Sequence, residues 1–226
     1  MKKILFLLMF SQIIMAQKIY ELDYQMEYKE EIANDSTKSN YPTYFINSKN
    51  NNHLLVQFHQ NNTISKFSFV DKEVLMFDTE ANELQFTNND IINITCDNIF
   101  KHTQGNKEYD YNIKIYNDTI MDGTSYYHYA IEDTKKVKRK KIKAIHYIIT
   151  KENPDFQLFM LYPLKLKNSK KKEIPNGIIK MKYFINGENK ITSKVILEKM
   201  TPIHKKIIIP EDCTLKTKGG LIIMLK

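Results

Sequence analysis

The sequence of 226 residues has no tryptophan, six glycines, two cysteines and a single arginine, Arg139. Scarce glycine weighs against a glycine-rich loop that cradles phosphate, and no such loop, His-Glu-x-x-His or Gly-x-Ser-x-Gly motif occurs in the chain. The lack of tryptophan disfavours a sugar binder built on a tryptophan platform. We therefore assign no catalytic residue, no metal and no cofactor, and expect a protein that is not an enzyme.

Long apolar runs are missing beyond the first residues of the chain. The strongest later run, Ile207–Ile209, is followed at once by Pro210, whereas a spanning helix needs about 20 apolar residues. We expect no transmembrane span in the mature chain.

The N-terminus has the pattern of a secretory signal. Lys2 and Lys3 precede 14 uncharged residues, from Ile4 to Gln17, with Ala16 as a small residue at the expected cut. A basic start, a short apolar segment and a small residue are typical of a cleaved signal. We predict a signal peptide over residues 1–16 and one exported domain over residues 17–226, located in the periplasm, on the cell surface or in the medium. A signal anchor or a buried first strand is the alternative.

Two cysteines, Cys96 and Cys213, remain in the predicted mature chain. An oxidising compartment permits a disulfide between them. The alternative is two separate buried thiols that act as small apolar side chains. No Cys-x-x-Cys motif indicates redox or zinc chemistry.

Apolar residues alternate with polar ones along several stretches, which is typical of half-buried antiparallel strands. The clearest stretches are 54–59, 126–131 and 179–185. We predict an all-β, mainly antiparallel fold: a single curved sheet, a half-barrel or a sandwich, with few or no helices after the signal peptide.

Turn residues separate these stretches. Asn186-Gly187 predicts a hairpin between two apolar stretches, and Asp122-Gly123 and Asn176-Gly177 each predict a turn before a strand. Asn153-Pro154 lies between Ile142–Thr150 and Phe156–Leu164, for which we predict a second hairpin. The latter stretch is apolar on both faces, which fits a covered central strand or one wall of a ligand pocket.

Positive charge is concentrated in two segments. Without Lys2 and Lys3, 32 basic residues stand against 26 acidic ones. Twelve of the basic residues lie at Lys135, Lys136, Lys138, Arg139, Lys140, Lys141, Lys143, Lys165, Lys167, Lys170, Lys171 and Lys172.

The predicted Asn153-Pro154 hairpin would bring these segments to one edge, since paired antiparallel strands place the start of one beside the end of the other. This basic pole is the predicted binding surface for anionic lipid, acidic polysaccharide or an envelope protein. Nucleic acid is a less natural partner in that compartment. The alternative is solvated lysine-rich loops.

The chain has six histidines, and none forms a recognisable site in the sequence. His53 and His59 share a strand face but lie about 20 Å apart at ~3.3 Å per residue. His128, among tyrosines, fits a packed face. The other histidines are His102, His146 and His204.

The layout resembles exported bacterial β-proteins of the GLPGLI type and, more distantly, lipoprotein-carrier half-barrels of the LolA kind. The features that carry this resemblance are the signal end Ala16-Gln17, the tyrosines Tyr20, Tyr24 and Tyr28, and Asp122-Gly123 before Tyr126–Ile131. The half-barrel resemblance implies a curved antiparallel sheet that binds an amphiphile.

These observations favour a non-catalytic binding or carrier module of the periplasm or envelope, with an anionic or amphiphilic ligand. A structural or protein-interaction component of the envelope is one alternative. A hydrolase whose site is assembled from dispersed residues is the other.

Overall fold

The computed structural model describes residues 17–33, 39–59, 64–71, 75–82, 90–96, 99–102, 111–133, 141–152, 174–210 and 216–218. Residues 1–16 lie outside these ranges, so the signal peptide and the limits of the exported domain stay predictions. None of the described residues belongs to a helix long and apolar enough to cross a bilayer.

All regular elements of the described ranges are strands. In chain order they are β1 (Gln17–Ile32), β2 (Ser39–Asn40), β3 (Thr43–Asn47), β4 (Asn50–His59), β5 (Ile64–Asp71), β6 (Leu75–Asn82), β7 (Ile91–Asn93), β8 (Ile99–His102), β9 (Tyr111–Ile115), β10 (Thr119–Met121), β11 (Thr124–Asp133), β12 (Ile142–Thr150), β13 (Ile179–Asn186), β14 (Ile191–Pro210) and β15 (Lys216–Lys218).

These strands form one curved, open sheet in the order β10-β11-β12-β13-β14-β1-β3-β4-β5-β6-β8-β15, with β2, β7 and β9 paired beside this path. All pairs are antiparallel except β14 with β7 and β15 with β8. The predicted all-β, mainly antiparallel fold is confirmed.

The centre of the sheet is the long pair of β1 with β14, which runs from Gln17 opposite Pro210 to Ile32 opposite Ser193. The register shifts between Leu22 and Tyr24, where Asp23 alone stands opposite two residues of β14, Ile203 and His204. Such a bulge in the pairing changes which face the side chains beyond it point to.

This reversal gives the sheet a core on each face. Leu22 packs in a cluster with Phe45, whereas Met26 packs in another with Ile46. Phe45 and Ile46 are consecutive in a strand, so they point to opposite faces. We call the face with Leu22 and Phe45 face A, and the face with Met26 and Ile46 face B.

Each core is formed by residues distant in the sequence. The face A cluster consists of Tyr20, Leu22, Phe45, Leu55, Phe67, Phe69, Ile94, Ile207 and Ile209. The face B cluster consists of Met26, Tyr28, Ile46, Ile178, Phe184, Val195 and Leu197. A third cluster, of Tyr129, Ile131, Tyr147, Ile149 and Ile179, packs around β11, β12 and β13.

The turns indicated by Asn186 and by Asp122-Gly123 are confirmed. Asn186 Oδ1 accepts hydrogen bonds from the backbone N–H groups of Glu188 and Lys190 in the turn that joins β13 to β14. Asp122 and Gly123 have φ values of 49° and 78°. Two consecutive positive φ angles are typical of the two-residue type I′ hairpin turn.

The predicted hairpin of Ile142–Thr150 with Phe156–Leu164 is wrong. Strand β12 pairs with β11 along one edge and with β13 along the other, so no edge is available for a third strand. Residues 153–173 lie outside the described ranges. The predicted convergence of the two basic segments depended on this hairpin, so it no longer has a structural basis.

Both the backbone angle and the surroundings of position 177 require glycine. Its φ is 141°, and an added Cβ would collide with the Thr150 carbonyl oxygen and lie 2.6 Å from Ile149 Cγ2. We expect Gly177→Ala to lower the free energy of unfolding by about 2–3 kcal/mol. Gly123→Ala, with φ of 78° and nothing within 4 Å, is the matched control and should cost about 1 kcal/mol. Urea denaturation measures both, and equal losses would contradict the steric account.

Candidate functional site

Only two residues of the predicted basic pole fall within the described ranges. Lys141 is exposed, and its carbonyl oxygen accepts a hydrogen bond from Gly187 N at 3.1 Å. Lys143 Nζ donates to Asn189 Oδ1 at 3.0 Å. These contacts place the start of β12 beside the β13–β14 turn. The other members of the site prediction lie outside the described residues: Lys135, Lys136, Lys138, Arg139, Lys140, Lys170, Lys171 and Lys172. The basic pole stays a prediction.

Cys96 follows β7 and is half-buried. It is in a disulfide bond. Cys213 lies outside the described ranges, so the pairing of Cys96 with Cys213 stays a prediction.

Face A carries a cleft of about 420 Å³ beside its apolar core. The residues that line it belong to β1, β3, β4 and β14, except Asp90, which directly precedes β7. They are Gln25, Glu27, Thr43, Phe45, Gln57, His59, Asp90, Ile203, His204 and Lys205.

Strand register explains why these residues meet. Thr43 is paired with Glu27 on one side and with Gln57 on the other, so the three form one row across β1, β3 and β4. Phe45 is paired with Gln25 in the next row. Directly paired residues share a face, and the row of polar groups therefore lies beside an aromatic ring.

The cleft holds one lysine in a buried position. Lys205 is 6% exposed, and burial lowers the pKa of its ammonium group, while nearby Asp90 acts in the opposite direction. A hydrogen bond from Lys206 N to the Asp90 carbonyl oxygen, at 2.8 Å, holds Asp90 next to β14. Glu27 lies 3.9 Å from the Lys199 ammonium. The cleft thus combines one buried cation, two carboxylates, two imidazoles and an apolar floor.

Sequence patterns do not predict this cleft. Of its residues, only His59 and His204 stand out in the sequence, and no pattern gives either of them a role. The rows depend on the pairing of β1 with β3 and on the register shift at Asp23, because without that shift Gln25 and Glu27 would lie on face B. The alternation of the β1 sequence is regular, so it gives no sign that the strand changes faces at this shift.

A second polar cluster lies on β11, β12 and β13, on the opposite face from the stacked rings of Tyr129 and Tyr147. His128 Nε2 lies 2.9 Å from His146 Nδ1 and 3.2 Å from the Tyr183 hydroxyl. Its other ring nitrogen, Nδ1, lies 3.3 Å from Thr119 Oγ1. We call these four residues and Tyr116, whose ring stacks on His128 at 4.5 Å, the histidine cluster.

Both imidazoles of the histidine cluster favour the neutral form. Burial, followed by the charge of His128 when it is protonated, lowers the pKa of His146 to about 4. Burial also lowers the pKa of His128 and raises that of the Tyr183 hydroxyl. The sequence conceals the cluster because His128 and His146 are 18 residues apart and meet only through strand pairing.

No family model matches this chain, and no curated protein matches it. Several solved structures resemble it at very low sequence identity. An uncharacterized conserved protein from Thermus thermophilus is 7% identical, with 96% of this chain and 100% of that chain covered and a TM-score of 0.46.

Two other solved structures belong to named proteins. MucB in the Pseudomonas aeruginosa MucA/MucB complex is 5% identical, with 80% and 51% of the two chains covered and a TM-score of 0.40. A LolA-superfamily protein from Nitrosomonas europaea is 6% identical, with 80% and 85% covered and a TM-score of 0.30. LolA-superfamily proteins are thus among the structures that this chain resembles, while the GLPGLI-type resemblance stays a prediction. A likeness at these TM-scores carries no argument about function.

Proposed function

We propose that the protein is an exported, non-catalytic binding module, and that the face A cleft binds a small anionic amphiphile. The cleft itself is the observation that supports this proposal. Ligand pockets usually measure about 300–1,000 Å³ and combine an apolar wall with a few placed polar groups. The cleft of about 420 Å³ meets both conditions.

The residues of the cleft suggest how such a ligand would be held. Lys205 would bind the anionic group, since a charged hydrogen bond in a buried, low-dielectric setting is strong. Phe45 and Ile203 would contact the apolar part. Glu27 and Asp90 can accept hydrogen bonds from any donor groups that such a ligand carries.

Native mass spectrometry of the protein purified from its own envelope tests the proposal even though the ligand is unidentified. We expect one small amphiphile per chain, released unchanged when the protein is unfolded. Recovery of the bare polypeptide would contradict a carrier role. Recovery of a cleaved product would favour the hydrolase alternative, for which the two histidines and two carboxylates of the cleft are suitable residues.

Replacement of Lys205 tests the role of the buried cation. With decanoate as the probe, we expect Lys205→Met to weaken binding by about tenfold or more, since a hydrogen bond to a charged group contributes about 1.5–3 kcal/mol. Lys206→Met is the matched control, because Lys206 is exposed and pairs with Glu21 at 3.1 Å. Isothermal titration calorimetry below the micelle concentration measures both affinities. Equal affinities of the two variants, or no saturable binding by the unaltered protein, would contradict the proposal.

The basic segments around Lys141 and Lys171 remain a second proposed surface, with anionic lipid, acidic polysaccharide or an envelope protein as the partner. Binding to anionic liposomes should weaken steeply as salt is raised, because exposed charges are screened over about 10 Å at 0.1 M. Co-sedimentation at several salt concentrations measures this. Binding that does not depend on salt, or no binding, would contradict anionic lipid as the partner of this surface.

A further inference from the structure

Three potential metal-donor atoms converge in the histidine cluster. His128 Nε2 lies 2.9 Å from His146 Nδ1 and 3.2 Å from the Tyr183 hydroxyl oxygen. They come from three adjacent strands, because His146 is paired with Ala130 of β11 and with Tyr183 of β13.

These separations match those of two ligands on one metal ion. Imidazole nitrogens bind zinc at about 2.0–2.1 Å. Two atoms at that distance from one ion, and separated by 2.9 and 3.2 Å as here, subtend angles of about 90° and 105° at it. Both angles are ordinary for a four-coordinate ion. An ion could therefore replace the hydrogen bonds of the cluster with little movement of the strands.

We propose that His128, His146 and Tyr183 form a binding site for a divalent transition metal ion of the zinc–copper class, with water as a further ligand. Among the described residues, no three His, Cys, Asp or Glu side chains are placed to hold a metal ion, and the proposed site therefore depends on the Tyr183 oxygen beside its two histidines. Imidazole suits zinc, copper and nickel, and Cu²⁺ should bind most tightly because it stands highest in the affinity order of these ions.

The surroundings of the three donors fit this role. Thr119 Oγ1, 3.3 Å from His128 Nδ1, can accept a hydrogen bond from the N–H of that nitrogen and leave the lone pair of Nε2 for the metal, as outer partners of metal-bound histidines do. The His146 ring stacks on the Tyr183 ring at 4.6 Å, so the Tyr183 ring must turn out of this stack for its oxygen to reach an ion in the plane of the His146 ring. His128 and Tyr183 are not fully buried, so an ion has access from solvent.

One charge opposes the binding of a cation. The Lys114 ammonium lies 4.8 Å from the centre of the Tyr116 ring, and Tyr116 stacks on His128. A carboxylate next to the cluster has the opposite effect on a bound cation. The Tyr116 hydroxyl donates a hydrogen bond to Glu132 Oε1 at 3.2 Å. Lys114→Met should tighten metal binding by about twofold.

Titration of the full, untagged chain with ZnCl₂, and with CuCl₂ in a glycine buffer, tests the site. We expect one ion per chain, and a loss of affinity of about 100-fold in both His128→Gln and His146→Gln. Thr119→Val should weaken binding by about tenfold. Tyr183→Phe should also weaken it by about tenfold, and it keeps the stacked ring, so a normal melting temperature would show that this variant is folded.

His204→Gln is the matched control, because His204 lies in the face A cleft and should leave metal affinity within about twofold. Unchanged affinity in His128→Gln and His146→Gln, or equal losses in the control, would overturn the proposal. The decanoate experiment uses other residues, so the metal site and the proposed cleft can fail independently.

Discussion

Replacement of Lys182 by Met should raise the free energy of unfolding at pH 7 by about 3 kcal/mol. Lys182 is only 2% exposed, and its ammonium lies 4.9 Å from the centre of the Phe184 ring. Burial, against a smaller opposite effect of Glu30, lowers the pKa of this lysine from 10.5 to about 7. Each unit of that shift corresponds to about 1.4 kcal/mol, and part of the gain is offset by the lost contacts with Phe184 and Glu30.

The stabilising effect should depend on pH in a defined direction. Between about pH 7 and 10.5 the unfolded chain holds a proton on Lys182 that the folded chain releases, so stability rises with pH across this window. The advantage of Lys182→Met should therefore shrink as the pH approaches about 10.

Chemical denaturation from about pH 7 to 10, reported as the difference between variant and unaltered protein, measures this effect. Lys180→Met is the control on the same strand. Lys180 Nζ donates to the Leu197 carbonyl oxygen at 3.3 Å, and its loss should destabilise the protein by about 1 kcal/mol at each pH. A destabilised Lys182→Met protein at pH 7 would contradict the cost assigned to burial of this ammonium group.

Removal of the predicted Cys96–Cys213 disulfide should lower the free energy of unfolding by about 4–5 kcal/mol. The bond would close a loop of more than about 100 residues, and the entropy that such a cross-link removes from the unfolded chain grows with loop length. Cys96 is already in a disulfide bond, and Cys213 is the other cysteine of the sequence.

Three variants separate this prediction from a local effect. Cys96→Ser, Cys213→Ser and the double variant should lose equal stability, as measured by guanidinium denaturation. Non-reducing mass spectrometry of the unaltered protein should give a monomer with one disulfide. A disulfide-linked dimer, or a Cys213→Ser protein with unchanged stability, would show that the two cysteines of one chain do not pair.

Local patterns in the sequence are sufficient to predict the strands and several turns. Asn186 and Asp122-Gly123 specify their turns through side-chain hydrogen bonds or positive φ angles, which depend on a few neighbouring residues. Alternation likewise predicts β4, β11 and β13. Such signals depend only on neighbouring residues, so one sequence is enough to detect them.

Alternation does not reveal which face of a strand is buried. In β13, a face of Met181, Tyr183 and Ile185 is the more apolar one in the sequence, yet the structure buries Lys182 and Phe184. The neighbouring strands decide this, because Lys182 is paired with Tyr147 and Val195, both of which are buried. A lysine among apolar partners is a feature that sequence patterns cannot show.

Long-range pairing also explains why the candidate sites escape prediction. Strand β12 pairs with β13, which follows in the chain only after residues 153–173. The apolar stretch nearest in the sequence, Phe156–Leu164, is therefore the wrong partner to predict. The face A cleft depends on the pairing of β1 with β3 and β14, and on the register shift at Asp23. Neither the pairing of these strands nor the register shift has a local signal in the sequence.

We propose above that the face A cleft, with Lys205 as its cation, binds a small anionic amphiphile. Titration of the ¹⁵N-labelled protein with decanoate, followed by two-dimensional NMR, tests this claim most directly. We expect saturable shifts at the amides of Thr43, Gln57 and Ile203, which line the cleft, and the loss of these shifts in Lys205→Met. Shifts confined to Lys141 and Lys143, or an unchanged spectrum, would contradict it.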